Sequence, residues 1–437
     1  MDNSQRAGGG LQVLTLNWSD IDGGAARASH RVASRLVEMG VPLRMRVMRK
    51  FGTDPWVTGA EGLLEQIWAR VITRAERGVV RLSGVKDKDM TWSFNSLPNF
   101  MLPPNMYEAA SVVHINWVGK GTLPLSSISR INKPLVWTLH DSWAFTGGCH
   151  IPYECRRFEN SCGYCPQLRS PAVNDASHRH WIKKAKYLTQ TSSHFVAPSN
   201  WMAGQARASA LLGSVPISVI PNGLDTDVFH RSDKSLAREA LKLPQEKQLI
   251  LFGAMYADTD QNKGMSFLLD ALNILQSKDA SFADKYELVI FGLCNPISLK
   301  NLPIPVTMLG VISDDHKLAQ IYSAADVTVV PSKMESFGQV ALESLSCGTP
   351  VVAFATTGLT DIVKHLENGY LAEKFDTNDL ANGILLMCES NDFIKSLPLR
   401  AREWVLNTFD IRITAKQYLS LFESVSFEKI RSGESND

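Results

Sequence analysis

Short apolar runs rich in β-branched residues alternate with amphipathic stretches along most of the chain. In the first half the runs are LQVLTL, PLRMRVM, VVHIN, PLVWTL, HFVAPS and ISVIPN; in the second they are QLILFG, ELVIFG, VTMLG, DVTVVPS and PVVAF. Amphipathic segments lie between them, at 24–39, 200–212, 263–277, 313–324 and 339–347. Apolar strands that alternate with helices imply parallel sheets covered by helices on both faces. There are too many strands for one doubly wound unit of usual size. The pattern therefore predicts an α/β protein of two doubly wound parallel-sheet domains, with ligands expected where the carboxyl ends of their strands face each other across a cleft. The polar stretch HRSDKSLAREA, near 230–240, marks the expected break. That gives a first domain over 1–235, a second over 236–410, and a terminal segment, 411–437, whose helix is expected to pack back on the first domain.

Composition narrows the function classes. A chain of 437 residues exceeds one ordinary core, in keeping with two domains. Lys and Arg number 45 against 44 Asp and Glu, so the whole chain has no bulk nucleic-acid signature. The start, MDNSQRAGGG, shows no apolar signal core, and no apolar run approaches the roughly 18 residues of a spanning helix. With seven cysteines in so long a chain, a cytoplasmic location is expected.

Charge is not evenly spread. Residues 44–88 hold ten basic and five acidic side chains. Within 61–82, Arg70, Arg74, Arg77 and Arg81 recur at helical spacing, with Leu64, Trp68, Val71, Ile72 and Val79 on the neighbouring face. Such a helix suits the anionic inner face of the cytoplasmic membrane or a phosphate-bearing lipid acceptor, or else it is a core helix with a solvated charged face.

Candidate chemistry sits at strand ends. LFGAMYADTDQNKG follows a strand and opens a helix at Lys263 and Gly264, where a positive charge joins unpaired N–H groups in a manner suited to phosphate, or is simply solvated. DTD at 258–260 is a polar loop and not a metal–diphosphate signature. ESFGQVALE puts Glu335 in a loop and Glu343 inside the following helix. Their separation suits two contacts along an extended ligand better than a glycosidase pair, which needs carboxyl groups roughly 5–10 Å apart; solvated surface charge is the bland alternative. Gly338 lets backbone N–H groups approach a ligand. In the first half, Gly23 and Gly24 form a strand-to-helix turn, and His140 and Asp141 end a buried strand. Cys149, Cys155, Cys162 and Cys165 fall within seventeen residues. Four thiols with a terminal C-x-x-C can close a tetrahedral Zn²⁺ site bracing the loop after His140, the preferred reading over packing thiols or disulfides.

At these residues the chain resembles the retaining GT-B glycosyltransferases of the group 1 family, and more narrowly their exopolysaccharide and colanic acid members. The resemblance spans about 11–410 and rests on GGAARA, TLHDSWAFTGGCH, CGYCPQL, VAPSNWM, IPNGLDTDVF, NKG, ESFGQVALESLSCGTPVVA and ENGYLA. It implies two Rossmann-like domains, an acceptor domain followed by a donor domain. It implies transfer from a UDP- or GDP-sugar to a glycan or lipid-linked oligosaccharide, in exopolysaccharide or lipopolysaccharide biosynthesis, without a catalytic metal. Carried over residue by residue, Glu343 would bind ribose and Lys263 the diphosphate. Glu335, with the backbone after Phe337 at Gly338 and Gln339, would hold the transferred sugar. His140 would line the reaction centre, Gly24 with Gly23 would approach the donor phosphates, and Gly253 would close the first strand of the donor domain. One departure stands out. Many relatives carry an arginine where this chain has Ala254. Two rivals follow, a catalytically inert nucleotide-sugar-binding partner and a nucleotide-sugar epimerase of the same fold.

Overall fold

The computed structural model describes residues 10–434 other than 61, 88–89, 100–103, 189–190, 257–258, 296–301 and 390. The polar amino terminus and the first residue of DTD thus lie outside the described residues. By contacts the chain divides into two compact units, Met1–Gly223 with Arg412–Asp437, and Leu224–Ile411.

The first unit is built on a seven-stranded sheet of β1 (Val13–Ser19), β2 (Leu43–Arg49), β3 (Val57–Thr58), β4 (Val112–Ile115), β5 (Leu135–Thr138), β6 (Ser193–Ala197) and β7 (Ile217–Val219). Their order is β3-β2-β1-β4-β5-β6-β7. Every pairing is parallel; Val13 faces Leu43 on one side and Val112 on the other. A strand flanked on both edges and covered on both faces has no polar side, which is why β1, β4 and β5 are buried along their whole length. From Arg412 onward the last helix, Ile411–Glu434, belongs to this unit, and the Tyr418 hydroxyl lies 2.8 Å from Thr138 Oγ1 of β5.

The second unit carries a six-stranded sheet of β8 (Gln248–Met255), β9 (Tyr286–Leu293), β10 (Val306–Gly310), β11 (Val327–Val330), β12 (Val351–Phe354) and β13 (Gly369–Ala372), ordered β10-β9-β8-β11-β12-β13 and parallel throughout. Helices close both faces, giving one core around Leu251, Tyr322 and Leu342 and another around Phe252, Leu272 and Phe354. In the polar stretch near 230–240, residues Lys234–Leu241 form a helix of this unit. Its Arg238 is buried and pairs with Asp326 at 2.6 Å. No described helix is long and apolar enough to cross a membrane.

The helix Leu63–Leu82 forms, but the apolar face expected there is divided. Ala69, Ile72 and Glu76 are buried, whereas Leu63, Leu64, Ile67 and Val71 face outward.

Candidate functional site

In each sheet the strand order reverses at one place, between β1 and β4 in the first and between β8 and β11 in the second. Loops leaving neighbouring strands there turn to opposite faces and leave a crevice at the carboxyl ends. In the second unit these are the loops that carry Lys263 and Glu335. The Lys333 N–H donates to the Asn262 carbonyl at 2.8 Å, and Asn262 Nδ2 donates to the Met334 carbonyl at 2.8 Å. Lys263 Nζ then meets Glu335 Oε1 at 2.8 Å. Close approach depends on Gly264, which sits at φ 70° and whose Cβ would stand 1.9 Å from the Pro331 carbonyl oxygen. The third loop, after β12, clamps Glu335 from behind. Its N–H donates to Thr357 Oγ1 at 3.0 Å, and its carbonyl accepts from Gly358 at 2.9 Å. The backbone is thus fixed while the side chains of Lys263 and Glu335 stay 31% and 20% exposed, within reach of a ligand.

Gly338, at φ 122°, starts the helix Gln339–Ser346, whose first turn has no acidic side chain to compete for its N–H groups with an anion. Phe337 turns its ring into the core against Phe409, which leaves only its backbone at the loop surface. Glu343 is nearly buried, and its Oε2 accepts from the Tyr322 hydroxyl at 2.9 Å. Gly253 lies inside β8, two residues before its end, where a Cβ would meet the Phe291 ring at 2.1 Å. Ala254 is part of the core.

In the first unit Gly23 takes φ 95° before the helix Gly24–Glu38, with open space where a Cβ would be, so its backbone and not crowding selects glycine. His140 follows β5. Its Nε2 is 2.9 Å from Asn116 Oδ1, an acceptor, so Nε2 carries the proton. The chain of contacts continues through Asn116 Nδ2 to His114 Nδ1 at 3.4 Å, then from His114 Nε2 to Thr138 Oγ1 at 2.8 Å. Burial holds His140 down at about 4, with Asp141 opposing. Burial and the neighbouring His140 hold His114 at about 3. Both rings are neutral near pH 7. Although burial pushes upward, His150 at 2.6 Å and the N–H groups of Trp117 and Trp143 keep Asp141 below the usual carboxylate range. His150 is fixed in turn by Ser93 Oγ at 3.0 Å.

The four cysteines lie close enough together to act on one another's charge. All four thiols are free, Cys149 and Cys165 buried and the other two half-buried. Among the described residues no group of three or more His, Cys, Asp or Glu is placed to hold a metal ion, so the zinc expectation gains no support here. The loop instead finds its order in the chain: Asp175 accepts from the Cys165 N–H at 2.8 Å, and the Ser177 hydroxyl accepts from the Gly163 N–H at 3.0 Å. Burial raises Cys149 well above an ordinary thiol and pushes Cys162 to about 12, so both stay protonated.

Sequence reasoning missed Asn262, Tyr322 and Asn116, which hold Lys263's loop, Glu343 and His140. Asn116 ends the run VVHIN, and a polar residue at the carboxyl end of a buried strand is the one signal that points to it.

Comparison with known proteins agrees with this layout. Residues 22–228 match the family model Glycosyltransferase Family 4, and residues 233–404 match Glycosyl transferases group 1. A D-inositol 3-phosphate glycosyltransferase of Streptosporangium roseum is 35% identical over 184 residues, 39% of this chain and 42% of that relative. The chain thus spans under half the length of the first curated relatives that it matches. The glycosyl transferase WcaC of Escherichia coli K12, named for colanic acid biosynthesis, is 25% identical over 374 residues, 81% of this chain and 85% of its own. Anabaena Alr3699/HepE, solved with UDP and glucose, shares the fold at TM-score 0.64 and 18% identity, covering 95% of this chain and 100% of that one.

Proposed function

From a chain that carries paired glycosyltransferase domains of the GT-B fold, the second of them group 1, we propose a retaining glycosyltransferase that moves a sugar from a UDP- or GDP-sugar to a glycan acceptor, lipid-linked, in exopolysaccharide or lipopolysaccharide biosynthesis. The observation that carries this reading is the Lys263–Glu335 pair at the switch point of the second sheet, beside a helix start free of acidic side chains. A nucleotide sugar changes from polyanion to neutral ring across one bond. A lysine and a carboxylate 2.8 Å apart match that change. Lys263 takes the diphosphate, Glu335 and the N–H groups of Gly338 and Gln339 take the sugar hydroxyls, and Glu343 takes the ribose. The first unit takes the acceptor, with His140, neutral and donating, beside it.

In the transfer the bond from the anomeric carbon to the diphosphate oxygen breaks, and its electron pair leaves with the nucleoside diphosphate. The acceptor oxygen bonds to the same face of that carbon, and its proton passes to the departing phosphate. Fixed positive charge at Lys263 stabilises the charge that develops there, without a catalytic metal. WcaC's name supports a polysaccharide product, and the UDP and glucose of HepE support a nucleotide-sugar donor. The exposed apolar side chains and arginines of the helix Leu63–Leu82 support association with an anionic membrane.

Alanine at 254, where many relatives carry arginine, favours a second reading, an inert nucleotide-sugar-binding partner. A thermal-shift panel of UDP-, GDP-, ADP- and dTDP-sugars tests the donor claim. A cognate donor at about a hundred times its Kd should stabilise the fold by about 2.7 kcal/mol. No shift with any nucleotide sugar would dismiss both readings.

A further inference from the structure

The first unit contains a cavity of about 900 Å³. One wall is the helix Leu63–Leu82, which contributes Arg77 and Arg81; Lys86, Lys120 and Arg169 complete a ring of five cations. The two acids of the lining do not balance them. Glu76 is committed elsewhere, its Oε1 accepting from the backbone N–H groups of Phe94 and Asn95. Asp87 supplies one further negative charge. Among the described residues Arg77, Arg81 and Arg169 form no ion pair. Lys120 is the built part of the site. Its N–H donates to Ser93 Oγ at 3.0 Å, and its ammonium lies 3.9 Å from the centre of the Trp18 ring. Burial lowers its pKa; Asp22 opposes that shift, while Arg77 and Arg49 press in the same direction as burial. Cations that repel one another around a ligand-sized hollow destabilise the fold unless an anion enters.

The same helix extends the pattern. At about 100° per residue, Leu63, Ile67, Arg70, Arg74, Arg77 and Arg81 share one face, apolar at its start and cationic towards its end. Leu63 and Ile67 are 74% and 46% exposed. Trp92, buried and held by the bond from its Nε1 to Gln167 at 2.6 Å, forms part of the fixed floor of the cavity.

We propose that this cavity binds the acceptor by a diphosphate ester, with the phosphates between Arg77, Arg81, Lys120 and Arg169 and a hydrocarbon chain running along the helix face towards Ile67 and Leu63. The assignment to an acceptor rests on the transferase reading; the anion site does not. Calorimetric titration of the full chain, with UDP saturating the donor site, should show that farnesyl diphosphate binds and that Arg77→Gln with Arg169→Gln weakens it at least roughly tenfold, the loss of one charge-assisted contact. The Kd of UDP should not change in that variant. Tighter binding of farnesyl diphosphate than of inorganic pyrophosphate assigns the phosphate to a lipid. Equal binding assigns it to a water-soluble diphosphate, and either supports the site. In the wild type, pyrophosphate should also slow amine acylation at Lys86 and Lys120, a readout that needs no variant. Absence of binding by both probes, or binding unchanged in the variant, would overturn the proposal. Failure of the donor reading would show separately, as wild-type protein that does not bind UDP.

Discussion

Gly264 is where the second unit's loops touch. Its φ of 70° and the Pro331 oxygen 1.9 Å from a would-be Cβ mean that alanine must push the β8 and β11 loops apart. Gly264→Ala should cost about 3 kcal/mol, as strain at a special backbone position does, and should raise donor KM because Lys263 and Glu335 no longer meet. Unchanged melting would show that the loops separate freely. The two glutamates divide the labour differently. Ribose contact exists equally in ground and transition states, so Glu343→Gln should mainly raise donor KM. Glu335 faces a ring that gains positive charge, so Glu335→Gln should mainly lower kcat. Each defect should be roughly tenfold to a hundredfold, the worth of a charged hydrogen bond. Wild-type kinetics in both would make these residues surface charge. Lys263, Glu335 and Glu343 could be proposed from the sequence because each stands at a fixed offset from a strand end or a glycine. Asn262, whose amide reaches Met334 across 72 positions, was not, since a contact between distant segments leaves no local pattern.

At the scale of elements, strands buried on both faces announced themselves as apolar runs, and the sequence located eleven of the thirteen strands. Of the two it passed over, Val57–Thr58 is too short to carry a pattern, and Gly369–Ala372, GYLA, has no β-branched residue to mark it. The helix Leu63–Leu82 was legible as a helix, but not which apolar residues it buries, because only tertiary neighbours select Ala69 and Ile72 over Leu63 and Leu64. That outward apolar face beside Arg70 and Arg74 should bring the protein up with anionic liposomes in flotation at low salt, with release at high salt. Indifference to lipid charge would leave the helix a solvated one. The relay linking β4, β5 and the last helix predicts a pH response. His114 has a folded pKa of about 3, against about 6.5 when unfolded, so only the unfolded chain takes a proton between them. Its contribution is complete above pH 6.5 and is lost as pH falls towards 3. In His114→Asn, Tm should therefore decline less steeply with acid between pH 6.5 and 4.5. An identical slope would mean that folded His114 accepts a proton in that range.

As a whole molecule the chain is two parallel sheets, each with its own core and each carrying candidate residues at the carboxyl ends of its strands, Lys263 and Glu335 at the reversal in the second, Gly23 at the reversal and His140 one strand beyond it in the first. Strand ends adjacent in space but far apart in sequence supply the polar groups, and the backbone of each unit fixes them before any ligand arrives. The central claim, transfer from a nucleotide sugar to an acceptor, meets its most direct test in one assay of the full chain. Release of nucleoside diphosphate would be followed from the nucleotide sugar that stabilises the protein, with and without a lipid-linked glycan extract. We predict that release depends on the extract and that the label from the sugar appears in the glycan. Donor consumed without the extract, or bound and never consumed, would contradict it.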